Sequence, residues 1–172
     1  MILATALAAA PPSHGADRPP NVVLIVSDDH AWTDYSFQGH PEVRTPRIDR
    51  LASEGATFRR GYVPSSLCSP SLASIVTGLY AHQHRVTSND PPGAAGRFGS
   101  ASKDPVVREG RRTLVDFIRS APTIPRLLSA RGYASFQAGK WWGGGFQDGG
   151  FTEGMTHGEL DRGGRHGDVG LE

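Results

Sequence analysis

The stretch SSLCSPSLASIVTG, residues 65–78, decides how this sequence is interpreted. It contains the only cysteine of the chain, Cys68, followed by Pro70 and an apolar run that ends at Gly78. Proline fits the first turn of an α-helix, because the N–H group it lacks would have no intrahelical partner there. The pattern therefore predicts a helix from about Pro70 to Val76, with Cys68 at its amino-terminal end.

Cys68 lies in a position that is better suited to chemistry than to core packing. The unpaired N–H groups and the dipole at the start of a helix favour a bound anion and a nucleophilic thiolate. A lone cysteine is more commonly a small buried hydrophobe. The neighbouring Ser66, Ser69 and Ser71 make an apolar pocket less favourable here, so we predict that Cys68 is a nucleophile.

Two adjacent carboxylates, Asp28 and Asp29, follow the apolar run Val22–Val26. A β-branched run without alternation is typical of a strand that is buried on both faces of a parallel sheet. Ligands bind outside the carboxyl ends of such strands, and carboxylate oxygens suit Ca²⁺ or Mg²⁺. The pair is therefore a candidate metal site, and a helix cap or a solvated turn is the alternative interpretation.

Lys140 is a further candidate for the site. It follows the predicted strand in YASFQAGKWW and precedes two tryptophans, of which the second is Trp142, and three glycines. A lysine at the end of a strand, beside a glycine turn, could reach a bound oxyanion. The alternative is a surface lysine whose aliphatic stem is partly buried.

Two pairs of residues have a spacing that suggests metal ligands. His82 and His84 would point the same way on a strand, and His166 is close to Asp168. Neither pair is completed by a cysteine or another histidine at a spacing that is typical of zinc sites. We therefore interpret both pairs as hydrogen-bonding groups in loops.

The rest of the pattern alternates strands and helices, which is typical of α/β folds with parallel pairing. The predicted class is an α/β fold with a mainly parallel sheet flanked by helices. Residues 88–112 are rich in proline, glycine and serine and are predicted to form a polar loop. The other predicted elements are a helix from Thr45 and Pro46 to Gly55, a short strand in ATFRRGYV (56–63), a helix from Thr123 to Gly132 with Leu127 and Leu128 facing inward, and a strand in YASFQAGKWW.

Length and composition are those of a globular protein. The 172 residues make one ordinary domain or part of a larger one, and 37% of them are hydrophobic while 20% are charged. A formal net charge of +1 argues against a protein that binds nucleic acid through a basic face. No apolar run is long enough to cross a bilayer.

The two ends of the chain differ from the middle. Residues 1–18 resemble an incomplete secretory signal peptide, with a short apolar stretch but no positively charged start, and a disordered tail is the alternative. We expect an exported protein, periplasmic or extracellular. Residues 143–172 are rich in glycine and are predicted to form a loop region.

Four segments, taken in order, resemble the type I sulfatases of the alkaline-phosphatase superfamily. The pattern C-x-P-S-x-x-x-x-x-T-G around Cys68 is the most specific of them. The resemblance implies an alkaline-phosphatase-like fold, incomplete in this chain, with residues 19–172 as the amino-terminal part of a sulfatase domain. It also implies hydrolysis of the sulfate ester of a carbohydrate or another alcohol. The four segments are NVVLIVSDDH, TPRIDRLASEGATF, CSPSLASIVTGLYAHQH and GYASFQAGKWW.

The resemblance also implies roles for individual residues. Cys68 would be oxidised to formylglycine by a maturation enzyme, and the hydrated aldehyde would attack sulfur. Asp28, Asp29 and the modified Cys68 would be ligands of Ca²⁺, with Mg²⁺ as the alternative cation. Lys140 would bind the sulfate, and the start of the helix would stabilise the developing charge.

This sequence departs from the family pattern at two positions. Leu72 occupies a position where the family usually has arginine, and Trp142 one where it commonly has histidine. The first departure puts conversion of Cys68 in doubt, and a histidine elsewhere, such as His157, is a candidate to replace the second. The family's remaining metal ligands come from a later segment, so we expect the 172-residue chain to bind metal poorly and to show little or no turnover.

Three alternatives remain open from the sequence. A phosphodiester or phosphonate monoester hydrolase of the same superfamily would share the aspartates and the position of the nucleophile. A non-catalytic relative that binds sulfated glycans would be consistent with Leu72 and Trp142. The chain could also be an incomplete gene product without a function of its own.

Overall fold

A computed structural model of the chain describes residues 19–91 and 104–158. The chain divides into two compact units, residues 1–55 and residues 56–172, which are considered separately below. In the described ranges, no helix has both the length and the apolar character needed to span a bilayer.

The first unit contains one helix, α1 (Pro46–Glu54), among its described residues. The carboxylate of Asp49 accepts hydrogen bonds from the hydroxyls of Ser36 and Thr45 and from the N–H of Phe37. These bonds lower the pKa of Asp49, with the Ser36 hydroxyl as the largest cause. The predicted helix is confirmed, and Asp49 ties it to the short 3₁₀ turn at Ser36–Gln38.

The predicted strand at Val22–Val26 is wrong for this structure. Its five side chains are 49–87% exposed, and the segment has no regular secondary structure. A strand is held by hydrogen bonds to a neighbouring strand, and the described part of the first unit contains none. The strand predicted in residues 56–63 is also wrong, because this segment has no regular secondary structure and Phe58 and Tyr62 are 84% and 86% exposed there.

The second unit is built around α2 (Cys68–Thr77), which is followed closely by the short helix α3 (Ala81–His84). Helix α2 ends at Gly78, whose φ of +69° closes the helix in the left-handed conformation. One face of α2 contributes to a core that also includes residues from later in the chain. The buried members of this core are Ala73, Val76, Val86, Ile118 and Trp141, with Phe117 and Phe151 packed against them.

Helix α4 (Pro105–Ser120) begins inside the segment predicted to be a polar loop, so that prediction is wrong for residues 105–112. The side chain of Asp104 accepts a hydrogen bond from the N–H of Val106, and Pro105 occupies the first turn. The helix then buries Val107 and Ile118 on its inner face. Proline at position 105 therefore starts a helix, whereas the sequence analysis interpreted it as part of a loop. Residues 92–103 lie outside the described residues.

Helix α5 (Ile124–Ser129) confirms the helix predicted after Thr123. The hydroxyl of Thr123 accepts from the N–H of Arg126 and donates to the carbonyl of Gly149, at 2.6 Å. Leu127 is 60% exposed, so the prediction that it faces inward is wrong. A helix of only six residues buries a narrow face, and in α5 the buried residue is Pro125.

Among the described residues, the sheet consists of two short parallel strands, β1 (Phe136–Gln137) and β2 (Glu153–Gly154), with Phe136 opposite Glu153. Parallel pairing agrees with the predicted class. Strand β2 and a 3₁₀ turn at Phe146–Gly149 lie in the segment predicted to be a glycine-rich loop. Residues 159–172, including His166 and Asp168, lie outside the described residues.

His84 ties α3 to α2 from a buried position. Its Nε2 lies 2.9 Å from the hydroxyl of Ser74, and its Nδ1 accepts the N–H of Val86 at 3.1 Å. Because Nδ1 accepts, the neutral ring carries its proton on Nε2 and donates to Ser74. The prediction of a hydrogen-bonding role is confirmed for His84, but the predicted loop is wrong, since His82 and His84 lie in a helix.

We expect the free energy of unfolding to fall as the pH drops below about 6.5, the usual pKa of histidine. Burial, with a smaller contribution from His82, lowers the pKa of His84. The unfolded chain therefore takes up this proton first, and the stability that His84 provides is lost as pH falls from that value towards the lower, folded-state pKa. The loss should be on the order of 1 kcal/mol, the usual value of one buried hydrogen bond. Urea unfolding of the parent and of His84→Asn at pH 5 and pH 7.5 checks this, and equal pH dependence in both proteins would contradict it.

Candidate catalytic site at the start of helix α2

Cys68 is the first residue of α2. Leu67 precedes it in an extended conformation, with φ −102° and ψ 142°, and provides no side-chain cap. The first helical hydrogen bond runs from the N–H of Ser71 to the carbonyl of Leu67. Cys68 is half-buried. The prediction that it lies at a helix start is confirmed, and the helix begins two residues earlier than Pro70.

The backbone donors at this helix start are fewer than a helix normally offers. Pro70 has no N–H group, and the N–H of Ser69 donates to Oδ1 of Asn89 at 2.8 Å. Of the first three helical residues, only Cys68 has an N–H that the structure does not assign to a protein partner. The expected anion site therefore depends on that N–H and on charged side chains nearby. Asn89 gave no signal in the sequence, because its role depends on the return of the chain to α2.

Lys140 lies next to Cys68, although 72 residues separate them in the chain. Its Nζ is 3.7 Å from Sγ of Cys68. The ammonium also lies 5.6 Å from the ring centroid of Trp142. The structure thus brings together two residues that the sequence analysis selected separately.

The turn that carries Lys140 is anchored through the carbonyl of Gly139. This oxygen accepts hydrogen bonds from Nε2 of Gln137, at 2.7 Å, and from the hydroxyl of Thr156, at 3.4 Å. Gly139 has φ +76°, a conformation that favours glycine. Gln137 and Thr156 are both buried, and neither was selected from the sequence. Thr156 in particular follows a glycine-rich run with no pattern that distinguishes it.

Leu72 and Trp142, the two departures from the family pattern, line the same small crevice. Leu72 lies one helical turn after Cys68, and Trp142 lies two residues after Lys140. The crevice has mostly apolar walls beside the candidate site. Its other lining residues are Ser69, Ala73, Val86, Leu114, Ile118, Trp141 and Gly143.

Asp28 and Asp29 lie in the first unit, in an exposed bend. Asp29 has φ +49°, a left-handed conformation that aspartate tolerates better than most residues. Their oxygens are of the type that hard cations prefer, although Ca²⁺ takes six to eight oxygen ligands. Within residues 19–91 and 104–158, no three histidine, cysteine or acidic side chains are grouped closely enough to hold a metal ion. The pair could therefore supply part of a metal site.

His157 was a candidate replacement for the histidine that Trp142 displaces. Its ring packs edge-on against Phe146, with 6.0 Å between the ring centroids. Its carbonyl lies close to Gly145, the partner of His157 in an isolated antiparallel bridge. A role for His157 at the site stays a prediction.

The sequence profile of the family described as Sulfatase matches residues 20–163. The chain belongs to the sulfatase family. The matched range contains all four candidate residues of the chain, Asp28, Asp29, Cys68 and Lys140.

Named relatives of the chain support the same assignment. It is 37% identical over 124 residues to "Arylsulfatase A" of Homo sapiens, and the matched region covers 72% of this chain and 21% of the relative. It is 36% identical over 128 residues to "N-acetylgalactosamine-6-sulfatase" of Sus scrofa, covering 74% and 22%. "Steryl-sulfatase" of Mus musculus is 37% identical over 143 residues, covering 78% and 20%. The chain thus spans about a fifth of the length of these relatives.

A solved structure shares the fold of this chain. The structure titled "Crystal structure of Ps i-CgsB" matches with a TM-score of 0.60 and 29% sequence identity. The match covers 82% of this chain and 29% of that one. The α/β, alkaline-phosphatase-like class, incomplete in this chain, is therefore confirmed.

Proposed function

We propose that the full-length protein hydrolyses sulfate esters and that Cys68, converted to formylglycine, is the nucleophile. The observation that carries this proposal is the 3.7 Å distance between Nζ of Lys140 and Sγ of Cys68 at the start of α2. Membership of the sulfatase family supports it. The substrate is the sulfate ester of a carbohydrate or of another alcohol.

Cys68 and Lys140 would each have a separate role in the hydrolysis. The aldehyde that replaces the thiol would react as its hydrate, of which one hydroxyl would attack sulfur and displace the alcohol of the ester. The second hydroxyl would then lose its proton and re-form the aldehyde, and the sulfate on the first oxygen would leave. The ammonium of Lys140 would bind a sulfate oxygen and balance the charge that develops in the transition state. The N–H of Cys68 would donate to the same charge, whereas the N–H of Ser69 is already used by Asn89.

Asp28 and Asp29 would supply oxygen ligands to a divalent cation. Ca²⁺ suits carboxylate oxygens in a flexible arrangement, and Mg²⁺ is the alternative. The cation would supply positive charge to the sulfate oxygens. This assignment rests on the chemistry of the two carboxylates and on the family resemblance.

The protein would be modified by a maturation enzyme and exported to the periplasm or the extracellular space. The maturation enzyme would recognise the segment that contains Cys68 and Pro70. Export follows from the resemblance of residues 1–18 to a signal peptide.

A second candidate is a non-catalytic relative that binds sulfated glycans. It is favoured by the apolar crevice beside Cys68, in which Leu72 and Trp142 stand where the family pattern has polar side chains. Binding would then use Lys140 without turnover.

Mass spectrometry of the tryptic peptide Gly61–Arg85, from protein made in its native host, distinguishes the two candidates. This peptide contains the only cysteine of the chain, so its assignment is unambiguous. We expect an aldehyde or its hydrate at Cys68. A thiol that is fully alkylated by iodoacetamide would contradict hydrolysis by formylglycine and favour the binding function.

A further inference from the structure

The side chain of Lys140 is flexible and exposed, yet its charge has to lie at one place to act on a sulfate group. A lysine carries a compact charge on a four-carbon stem with many rotamers. The hydrogen bonds at Gly139 fix the backbone before Lys140, but they do not fix the position of Nζ. Another contact is needed at the charged end.

We propose that Trp142 is a positioning residue that holds the ammonium of Lys140 beside Cys68. This inference rests on the proposed function, because it assigns Lys140 a role at the nucleophile. The indole centroid lies 5.6 Å from Nζ, within the range of a cation–π interaction, and Nζ in turn lies 3.7 Å from Sγ. The three groups therefore form a continuous contact from the ring through the ammonium to the sulfur.

The surroundings of Trp142 suit it to this role. It is half-buried and lines the crevice with Leu72 and Trp141, so its ring is held by the fold while Lys140 stays exposed. Tryptophan is the best aromatic partner for a cation, and it has only two side-chain torsions to fix. Buried Trp141 holds the adjacent backbone, with its Nε1 donating to the carbonyl of Gly145 at 3.2 Å.

The alkylation of Cys68 tests this arrangement in the 172-residue chain with an unmodified thiol. Iodoacetate is an anion and iodoacetamide is neutral, so the ratio of their rates reports the positive charge near Sγ. A change in exposure alone would alter both rates and leave their ratio unchanged. Since Cys68 is the only cysteine, each rate belongs to one site.

Lys140→Met should lower this ratio about fivefold, the factor expected from one unit charge about 4 Å away in water. Trp142→Met should lower it roughly two- to threefold, which corresponds to the loss of one exposed cation–π contact. Trp142→Phe should restore part of the loss because it restores a ring. Leu72→Ala is the matched control, since Leu72 lines the same crevice, and it should leave the ratio unchanged. Adding Trp142→Met to Lys140→Met should lower the ratio no further.

Nuclear magnetic resonance gives a second measurement that needs no variant at Trp142. The chain has only two lysines, Lys103 and Lys140, so ¹³C-lysine labelling gives a simple spectrum that Lys140→Met assigns. The ring should move the Cε protons of Lys140 to higher field in the parent protein.

An unshifted Lys140 signal, or an unchanged rate ratio in folded Trp142→Met, would overturn the positioning role. Neither measurement depends on formylglycine or on turnover. Failure of the proposed function would therefore appear separately, as an unmodified thiol in the native protein.

Discussion

Replacing Cys68 with alanine in the full-length protein is expected to lower kcat for a sulfate ester by a factor on the order of 10³ or more, as for other nucleophiles. The variant has no side-chain atom that can bond to sulfur, whereas Lys140 and the backbone N–H of residue 68 remain. Binding of the ester should therefore be affected less than turnover, and KM should change less than kcat. Steady-state hydrolysis of an aryl sulfate measures both values.

Ser66→Ala is a suitable control for this experiment. Ser66 is an exposed neighbour outside α2, so its loss should leave kcat within about twofold of the parent value. If Cys68→Ala keeps a substantial part of the parental rate while remaining folded, the nucleophile must be another group.

Replacing Trp141 with alanine is expected to destabilise the second unit by about 3–5 kcal/mol, the usual cost of removing a buried aromatic side chain. Trp141 is only 5% exposed and packs edge-on against Phe151, with 5.6 Å between the ring centroids. Its removal would leave a cavity between Gly143 and Gly149, both of which closely approach the indole. It would also remove the hydrogen bond to Gly145. Urea unfolding followed by far-ultraviolet circular dichroism measures the change.

Trp32→Ala provides the matched control, because Trp32 is 72% exposed. The same substitution there should change the free energy of unfolding by no more than about 0.5 kcal/mol. Equal shifts of the urea midpoint in the two variants would contradict a core role for Trp141.

Local signals in the sequence predicted α1, α2 and α5, whereas α3 and the start of α4 were interpreted as loops. Pro46 and Gly55 mark the two ends of α1, and Thr123 caps α5 as expected. These features act within a few residues, so they can be identified without knowing the rest of the fold. The position of Cys68 at the start of α2 followed from the same kind of evidence.

The strands were predicted less well, because a strand depends on its neighbours. The apolar run Val22–Val26 has strong strand propensity, yet the described residues of its unit provide no strand to pair with it. Conversely, β2 has little propensity of its own and forms beside β1 within a glycine-rich segment. In both cases the presence or absence of a neighbouring strand, and not the strand propensity of the residues, determines whether a strand forms.

The sequence identified candidate reactive residues of the site, but it did not identify the residues whose hydrogen bonds hold the surrounding backbone. Cys68 and Lys140 were identified by residue type and by position at the ends of elements. Asn89 and Thr156 were not, because each bonds to a backbone group 17 or more residues away in the chain, and Gln137 was not, because its bond to the nearby Gly139 depends on the local turn. Such bonds leave no periodic pattern in a sequence.

The hydrogen bond between Thr156 and the carbonyl of Gly139 has a consequence for the order of events during synthesis. Thr156 follows Cys68 by roughly 90 residues, so a ribosome adds it some 4–18 s after Cys68 at ordinary rates of elongation. Lys140 itself follows Cys68 by 72 residues, so it is absent for most of that interval, and its turn lacks one anchor for the rest. An enzyme that modifies Cys68 in an extended nascent chain therefore has several seconds to act before the surroundings of the cysteine are complete.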